Sequence, residues 1–581
     1  MRPLPTLGAC LLAGLSIGAS ACHARPAVES AASRPKPPRL LLAIVVDQLS
    51  AWEAADRLPM LPPEGGFARL RREGLWVKEL RYEHAVTDTA PGHAALFTGA
   101  PPRASGIFAN ETLGPDGKSR SILLDETTRL VDARGQELDR PGSSLARLRV
   151  ETLADVLVAA APGALVYAFS LKDRGALFGA GRRPQAALWL DVAGETFVSS
   201  TAFPAPPFLV SSLSDNDAVE GAYRSNEWSL RNEERSFVST HAETPDDQPG
   251  EGDYLGLGRT FPHVATSAKA MRATPAGDAL VLGLARGALE YVGGRARGDQ
   301  AAPPALLVLS LSSHDYIEHV FGPHSWEAWA ELWELDRGLG ALFTEADRAV
   351  GPAGWAALLT GDHGGGALPE VPAEVARTTC GEADGLVRPS HGCGKRARIM
   401  PRDVVAALEA AAQATLGPGP WIAGFAEPLV YLTPRGKSLD AGARETLRRA
   451  AERAARAYGV EHAFDTRSFT GSCPSGDGLE ALVCASVVPD GPGDFYLVAA
   501  RGSFFDPDLA PGAGQSHGTF DEMDRTVPLL VRAPGRAPPG VVRDAPLAFT
   551  AFARTAASLL GVRPPAAAGP GEDLTEGRAL P

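Results

Sequence analysis

The side chains whose types and settings could do chemistry are Asp47, Thr89, Asn110, Lys172, Arg174, Asp315, His319, Asp362, His363 and His517. Thr89 lies in Thr87-Asp88-Thr89-Ala90-Pro91-Gly92-His93-Ala94-Ala95-Leu96-Phe97-Thr98-Gly99, which reads as a loop turning into a helix. Pro91 suits the first helical turn, where a missing N–H costs nothing. Thr89 then falls at or near the N-cap, facing free backbone N–H groups. Such a terminus attracts anions, phosphate above all. A hydroxyl held there becomes a nucleophile toward a phosphoryl group once something lowers its pKa. Taken alone, the stretch reads first as a capping threonine that only starts a helix.

The acids and imidazoles supply the missing context. Asp315 and His319 are four apart, so on a helical turn they share a face. Asp362 and His363 are adjacent in the turn Gly361-Asp362-His363-Gly364-Gly365-Gly366, where glycine lets backbone approach an ion closely. His517 sits in a second small-residue turn, Gly514-Gln515-Ser516-His517-Gly518-Thr519. Oxygen and imidazole ligands without thiolate suit zinc, with manganese or another divalent ion as the less favoured choice. His84, His241, His263, His324, His391 and His462 have no such setting and read as surface or packing residues.

These groups need strands to carry them. Leu40–Val46 is a continuous apolar, partly β-branched run that reads as a buried parallel strand and stops at Asp47-Gln48. The pattern recurs three times. Ala164–Phe169 leads to Lys172 and Arg174, Ala305–Leu311 to His314-Asp315, and Trp355–Thr360 to Asp362-His363. One acidic residue at a strand end is a turn or a cap. Four strand ends delivering polar groups describe an α/β fold, a doubly wound, largely parallel central sheet with helices on both faces and one active edge.

With these motifs in hand, the chain resembles the alkaline phosphatase superfamily of two-metal phosphohydrolases. The best match is the threonine-nucleophile subgroup of phosphate-irrepressible alkaline phosphatases. The resemblance runs from about Leu40 to the C-terminus through VVDQ, TDTAPGHAALFTG, SLKDRGAL, HDYIEH, TGDHGGG and SHGTFDEMDRTVPLLV. It implies two Zn2+ per chain. Asp315, His319 and His517 would ligate one. Asp47, Asp362 and His363 would ligate the other, which also takes the Thr89 oxygen. It implies a covalent phosphothreonine intermediate on Thr89.

Asn110, Lys172 and Arg174 then bear on substrate class. Lys172 and Arg174 are two apart at a strand end, so extended backbone would point both to one side. A monoester dianion carries charge on oxygens that two metals cannot all reach, and a cation pair plus an amide donor answers it. A diester gains less. The Lys-x-Arg pair matches the monoesterase subgroup, whereas nucleotide pyrophosphatase/phosphodiesterase relatives lack it. The position of Thr89 also differs from the Cys/Ser-x-Pro-x-Arg setting of sulfatases. The expected substrates are phosphate monoesters of small molecules. The alternatives are a phosphodiesterase or nucleotide pyrophosphatase on the same scaffold, or a non-catalytic metal- or phosphate-binding surface protein.

The rest of the chain gives location and architecture. Residues 1–22 read as an export signal, with Arg2 before the apolar run Leu11–Ile17. Ala19-Ser20-Ala21-Cys22 fits small-residue cleavage and also resembles a lipobox, which would lipidate Cys22. Residues 23–38 form a Pro/Ala/Ser tether. The expectation is a periplasmic or outer-membrane-anchored lipoprotein of a Gram-negative bacterium. It would be a monomer whose only membrane contact is that anchor. A formal charge of −13 with no basic face argues against nucleic acid. Of six cysteines, Cys380, Cys393, Cys473 and Cys484 remain after export. Closeness in sequence suggests Cys380–Cys393 and Cys473–Cys484, and other pairings remain open. Residues 39–581 form the catalytic domain, with insertions at about 180–300 and 367–510 expected to form a lid. The second carries an Arg/Glu-rich helix from Ala441 to Tyr458, read as a solvated surface helix.

Overall fold

A computed structural model describes residues 37–575, apart from 133, 205–215, 225–226, 299–302, 373–374, 376–396 and 507–511. The export signal, most of the tether and the Cys380–Cys393 pair lie outside the described residues.

The strand Leu40–Val46 is apolar throughout because it is buried at every position. Ala305–Leu311 and Trp355–Thr360 flank it, both parallel. Leu165–Ser170 and Ala186–Asp191 continue the parallel set beyond Ala305–Leu311. The register aligns the strand ends. Val45 pairs with both Thr360 and Ser310, and Ser310 pairs with Ser170. The four strands therefore end on one line, and the polar residues after them share one edge of the sheet. Thr526–Arg532 runs antiparallel beside Trp355–Thr360, and antiparallel strands from 124–143 and 196–200 close the other side, twelve strands in all among the described residues.

Side-chain alternation divides the core. Leu41, Ala43 and Val45 pack with the helices Thr89–Thr98, Asp173–Ala180 and Thr550–Leu560. Leu40, Leu42, Ile44 and Val46 pack with Pro275–Gly298, Ser313–Phe321 and Trp326–Val350 on the opposite face. The doubly wound arrangement follows from this two-sided burial. Residues 186–200, at the start of the stretch read as the first insertion, are strands of the central sheet.

Residues 398–505 carry a separate core. The helices Pro401–Leu416 and Ala441–Ala455 cover an antiparallel sheet of Ile422–Ala426, Leu429–Leu432, Phe495–Ala499 and Val460–Asp465. The Arg/Glu helix ends at Ala455, and one 3-10 turn follows to Tyr458. It is not wholly solvated. Arg444 is buried between Asp465 and Asp494, with Nε 2.6 Å and Nη1 3.0 Å from their carboxylates. Cys473 is bonded to Cys484. Among the described residues no helix is long and apolar enough to cross a membrane.

Candidate active site

Thr89 is the first residue of its helix. Asp88, extended at φ −108° and ψ 162°, takes the N-cap place instead, and its carbonyl accepts the Gly92 N–H at 2.9 Å. The Ala90 N–H donates to Asn110 Oδ1 at 2.8 Å. That bond fixes Asn110 against the first turn and leaves the NH2 half of its amide to donate. Gly92 is needed where it stands, because a Cβ there would collide with the Asp362 carbonyl. The start of the threonine helix and the Asp362-His363 turn thus touch backbone to backbone.

Around Thr89 the strand ends bring together two overlapping groups. Ligand atoms of Asp47, Asp362 and His363 lie within 4.8 Å of one another, as do those of Asp315, His363 and His517. All five residues are buried. His319 adjoins the second group, with Nε2 3.3 Å from Asp315 Oδ1 and its ring 5.0 Å from that of His517. Asp315 and His319 do share a face of the helix Ser313–Phe321. The three imidazoles are oriented alike. Nδ1 of His319 donates to Gln515 O at 2.7 Å, that of His517 to Thr87 O at 2.9 Å, and that of His363 to Gly364 O at 3.1 Å. Each leaves Nε2 as the inward atom.

The donor set fits metal ions. Asp47 Oδ1, Asp315 Oδ1 and His363 Nε2 are buried without any hydrogen-bond partner, an arrangement that is costly unless a cation completes it. Burial works against ionisation of Asp47, yet Lys172 and His363 outweigh it and hold the carboxyl below its ordinary range. For Asp315 burial is likewise overcome by Lys172 and His319. Burial, with His363 nearby, keeps His517 neutral. For these three residues the protonation states are those that metal ligation requires, whereas burial of His363 is outweighed by Asp362 and Asp47, which push it up to about 10, so a metal ion would have to displace its proton.

The cations stand across the same edge. Lys172 Nζ lies 2.7 Å from both Asp47 Oδ2 and Asp315 Oδ2 and donates to Thr89 Oγ1 at 3.3 Å. Burial opposes its charge, but Asp315 and Asp47 prevail and its pKa is raised. The pair does not sit in extended strand. The strand ends at Ser170, Lys172 is the N-cap of Asp173–Ala180, and Arg174 lies in the first turn. The turn forms there because Asp173 starts the helix and is anchored by Ser143 Oγ at 2.8 Å. Arg174 is about a quarter exposed, its Nε lacks a hydrogen-bond partner, and it feels Tyr316, Asp173, Asp47 and Asp315. A guanidinium held only loosely, by Asp173 at 3.9 Å, beside a threonine hydroxyl, an amide and a buried ammonium suits a phosphoryl group.

Several residues here carried no sequence signal of their own. His93, one turn after Thr89, is fully buried, with Nδ1 3.0 Å from Asp362 Oδ2 and Nε2 3.0 Å from Ser310 Oγ. Its i,i+4 spacing from Thr89 was the available clue. Tyr316 lies under Lys172 Nζ at 4.9 Å and against Arg272.

Residues 41–416 match the family model of type I phosphodiesterase / nucleotide pyrophosphatase. Alkaline phosphatase PafA of Elizabethkingia meningoseptica is 30% identical over 341 residues, 56% of this chain and 60% of that protein. The chain therefore spans less than two thirds of that relative. Alkaline phosphatase PhoK of a Sphingomonas species is 28% identical over 510 residues, 85% of this chain and 83% of that protein. The crystal structure of wild-type PafA superposes with a TM-score of 0.78 at 24% identity, covering 93% of this chain and 99% of that one, and so shares its fold. The chain belongs to the type I phosphodiesterase / nucleotide pyrophosphatase family of the alkaline phosphatase superfamily, in its phosphate-irrepressible alkaline phosphatase-like group.

Proposed function

We propose that this chain is an exported, zinc-dependent alkaline phosphatase that hydrolyses phosphate monoesters through a phosphothreonine intermediate. One observation carries the reading: buried carboxylate and imidazole atoms without partners surround Thr89, with a buried lysine and an arginine on the same edge. Asp47, Asp362 and His363 would hold one Zn2+, and Asp315, His319 and His517 the other. Bound there, zinc supplies the acidity that lowers the Thr89 hydroxyl pKa and neutralises the leaving oxygen. The relatives named as alkaline phosphatases support the same reaction class, and the signal pattern of residues 1–22 supports export.

The chain's own groups do the rest. Thr89 Oγ1 attacks phosphorus, the ester P–O bond breaks, and the alcohol leaves. Water then cleaves the Thr89 ester to release inorganic phosphate. Lys172, 3.3 Å from Thr89 Oγ1, holds the nucleophile beside the phosphoryl oxygens. The Asn110 amide is braced by Ala90 N–H and donates to the same group. Arg174 answers the second negative charge of a monoester, which a diester does not present.

The test is hydrolysis of p-nitrophenyl phosphate and of its bis-ester at alkaline pH with zinc, by wild type and Thr89→Ala. The expected result is a clear monoester preference and a loss of at least about 10^4-fold in the variant. Preference for the bis-ester would make the chain a phosphodiesterase on the same scaffold. Unchanged turnover by Thr89→Ala would remove the threonine mechanism.

A further inference from the structure

Gln48 follows Asp47 in the turn that ends the first strand, where Leu49 N–H donates to Val46 O at 3.1 Å. It is fully buried and has φ +69°, a left-handed conformation that glycine or asparagine takes far more readily. A glutamine in this place is unfavourable unless its side chain has a use. Its amide makes a long-range contact: Nε2 donates to Glu318 Oε2 at 2.6 Å. Its backbone N–H donates to Asp362 Oδ1 at 3.2 Å. Glu318 in turn lies between Asp315 and His319 in sequence, on the same buried helix. One residue thus touches three ligand-bearing segments, the Asp47 strand end, the Asp362-His363 turn and the Asp315–His319 helix.

Glu318 is also part of a buried cluster with Glu53 and His314 that could be taken for a third metal site. That cluster already contains its cations. Arg57 is paired with Glu53, and His314 lies 3.4 Å from both Glu53 and Glu318 and 2.7 Å from Glu331. The cluster anchors Glu318 against the neighbouring helices, so Glu318 is a fixed point for Gln48 to grip.

We propose that Gln48 and Glu318 are a positioning pair, which sets the spacing between the two metal-ligand groups and so controls how long the metals stay bound. The proposal rests on the zinc-phosphatase reading above. Loss of outer contacts of this kind weakens metal binding by about 10–100-fold.

The experiment is zinc release from the loaded full chain into excess chelator, followed beside thermal unfolding, for wild type, Gln48→Gly, Gln48→Met and Glu318→Gln. Gln48→Gly relieves the left-handed backbone, which offsets the loss of the buried amide contact, so its melting temperature is expected to stay near that of wild type. Its zinc release is expected to quicken about 10–100-fold, and that of Gln48→Met likewise. Glu318→Gln, which keeps an acceptor oxygen, should release zinc at a rate between wild type and these two. A wild type that holds two zinc ions, with all three variants releasing them at its rate, overturns the proposal alone. A third zinc in wild type that is missing from Glu318→Gln overturns it in favour of a metal site. A wild type that takes up no zinc contradicts the phosphatase reading and the proposal together.

Discussion

Two buried clusters of acids and histidines lie on neighbouring turns of the same sheet edge, and they are built for opposite ends. In the first, Asp47 Oδ1, Asp315 Oδ1 and His363 Nε2 make no hydrogen bond. In the second, Glu53, Glu318 and Glu331 surround His314, with Arg57 paired to Glu53. Burial opposes the charge on His314, but the Glu318, Glu53 and Glu331 carboxylates hold it protonated. Burial and Glu53 push Glu318 upward, toward its neutral form. Two cations then face two carboxylates and one acid, and the charge closes without a metal. In the first cluster Lys172 is shared between Asp47 and Asp315, and burial of His363 is outweighed by Asp362 and Asp47, which push it up to about 10 and give a second cation. Residue types alone do not separate a metal site from a structural network. What separates them is whether the cations have their hydrogen bonds: both ring nitrogens of His314 reach carboxylates, whereas His363 Nε2 has no partner.

The comparison can be broken from its closed side first. Replacing Arg57 by Met leaves buried Glu53 with His314 at 3.4 Å as its remaining cation, and the expected loss is about 3 kcal/mol of stability. Chemical denaturation measures it, and zinc content at saturation should stay at the wild-type value. A variant that folds as well as wild type but has lost metal would merge the two clusters into one.

On the open side, Arg174→Ala should leave the fold intact and lower kcat/KM for p-nitrophenyl phosphate by about 10²–10³-fold. The bis-ester should change by no more than about threefold on the same argument. Equal losses on both esters would return Arg174 to a general structural part. A smaller effect is expected from His93→Gln. This variant removes the ring whose Nδ1 donates to Thr89 O at 2.9 Å and lies 3.0 Å from Asp362 Oδ2. Zinc release should quicken by about 10-fold, read by chelator competition at unchanged melting temperature.

Much of the open cluster was legible before any fold was known. Asp47, Asp315, Asp362 and His363 each come after a run of apolar residues, and the in-register pairing of Val45 with Thr360 and Ser310 turns those runs into one edge. The spacing of Asp315 and His319 survives as a shared helix face. The closed cluster was invisible. Glu53, His314, Glu318 and Glu331 belong to three helices, and nothing in local pattern tells a buried glutamate from a solvated one. Lys172 and Arg174 were found by type but not by geometry. The end of a strand cannot be located to one residue from composition, so a helix cap and its first turn passed for extended chain. Gln48 was missed because a left-handed backbone leaves no mark on a sequence when the residue is not glycine or asparagine.

The most direct measurement is metal content. Zinc per chain would be counted by elemental analysis after saturation and desalting, for wild type, Asp362→Asn and Glu53→Gln. The account predicts two, one and two. Zinc lost from Glu53→Gln but retained in Asp362→Asn would contradict it, because the cluster whose cations already have their hydrogen bonds would then be the one that binds metal.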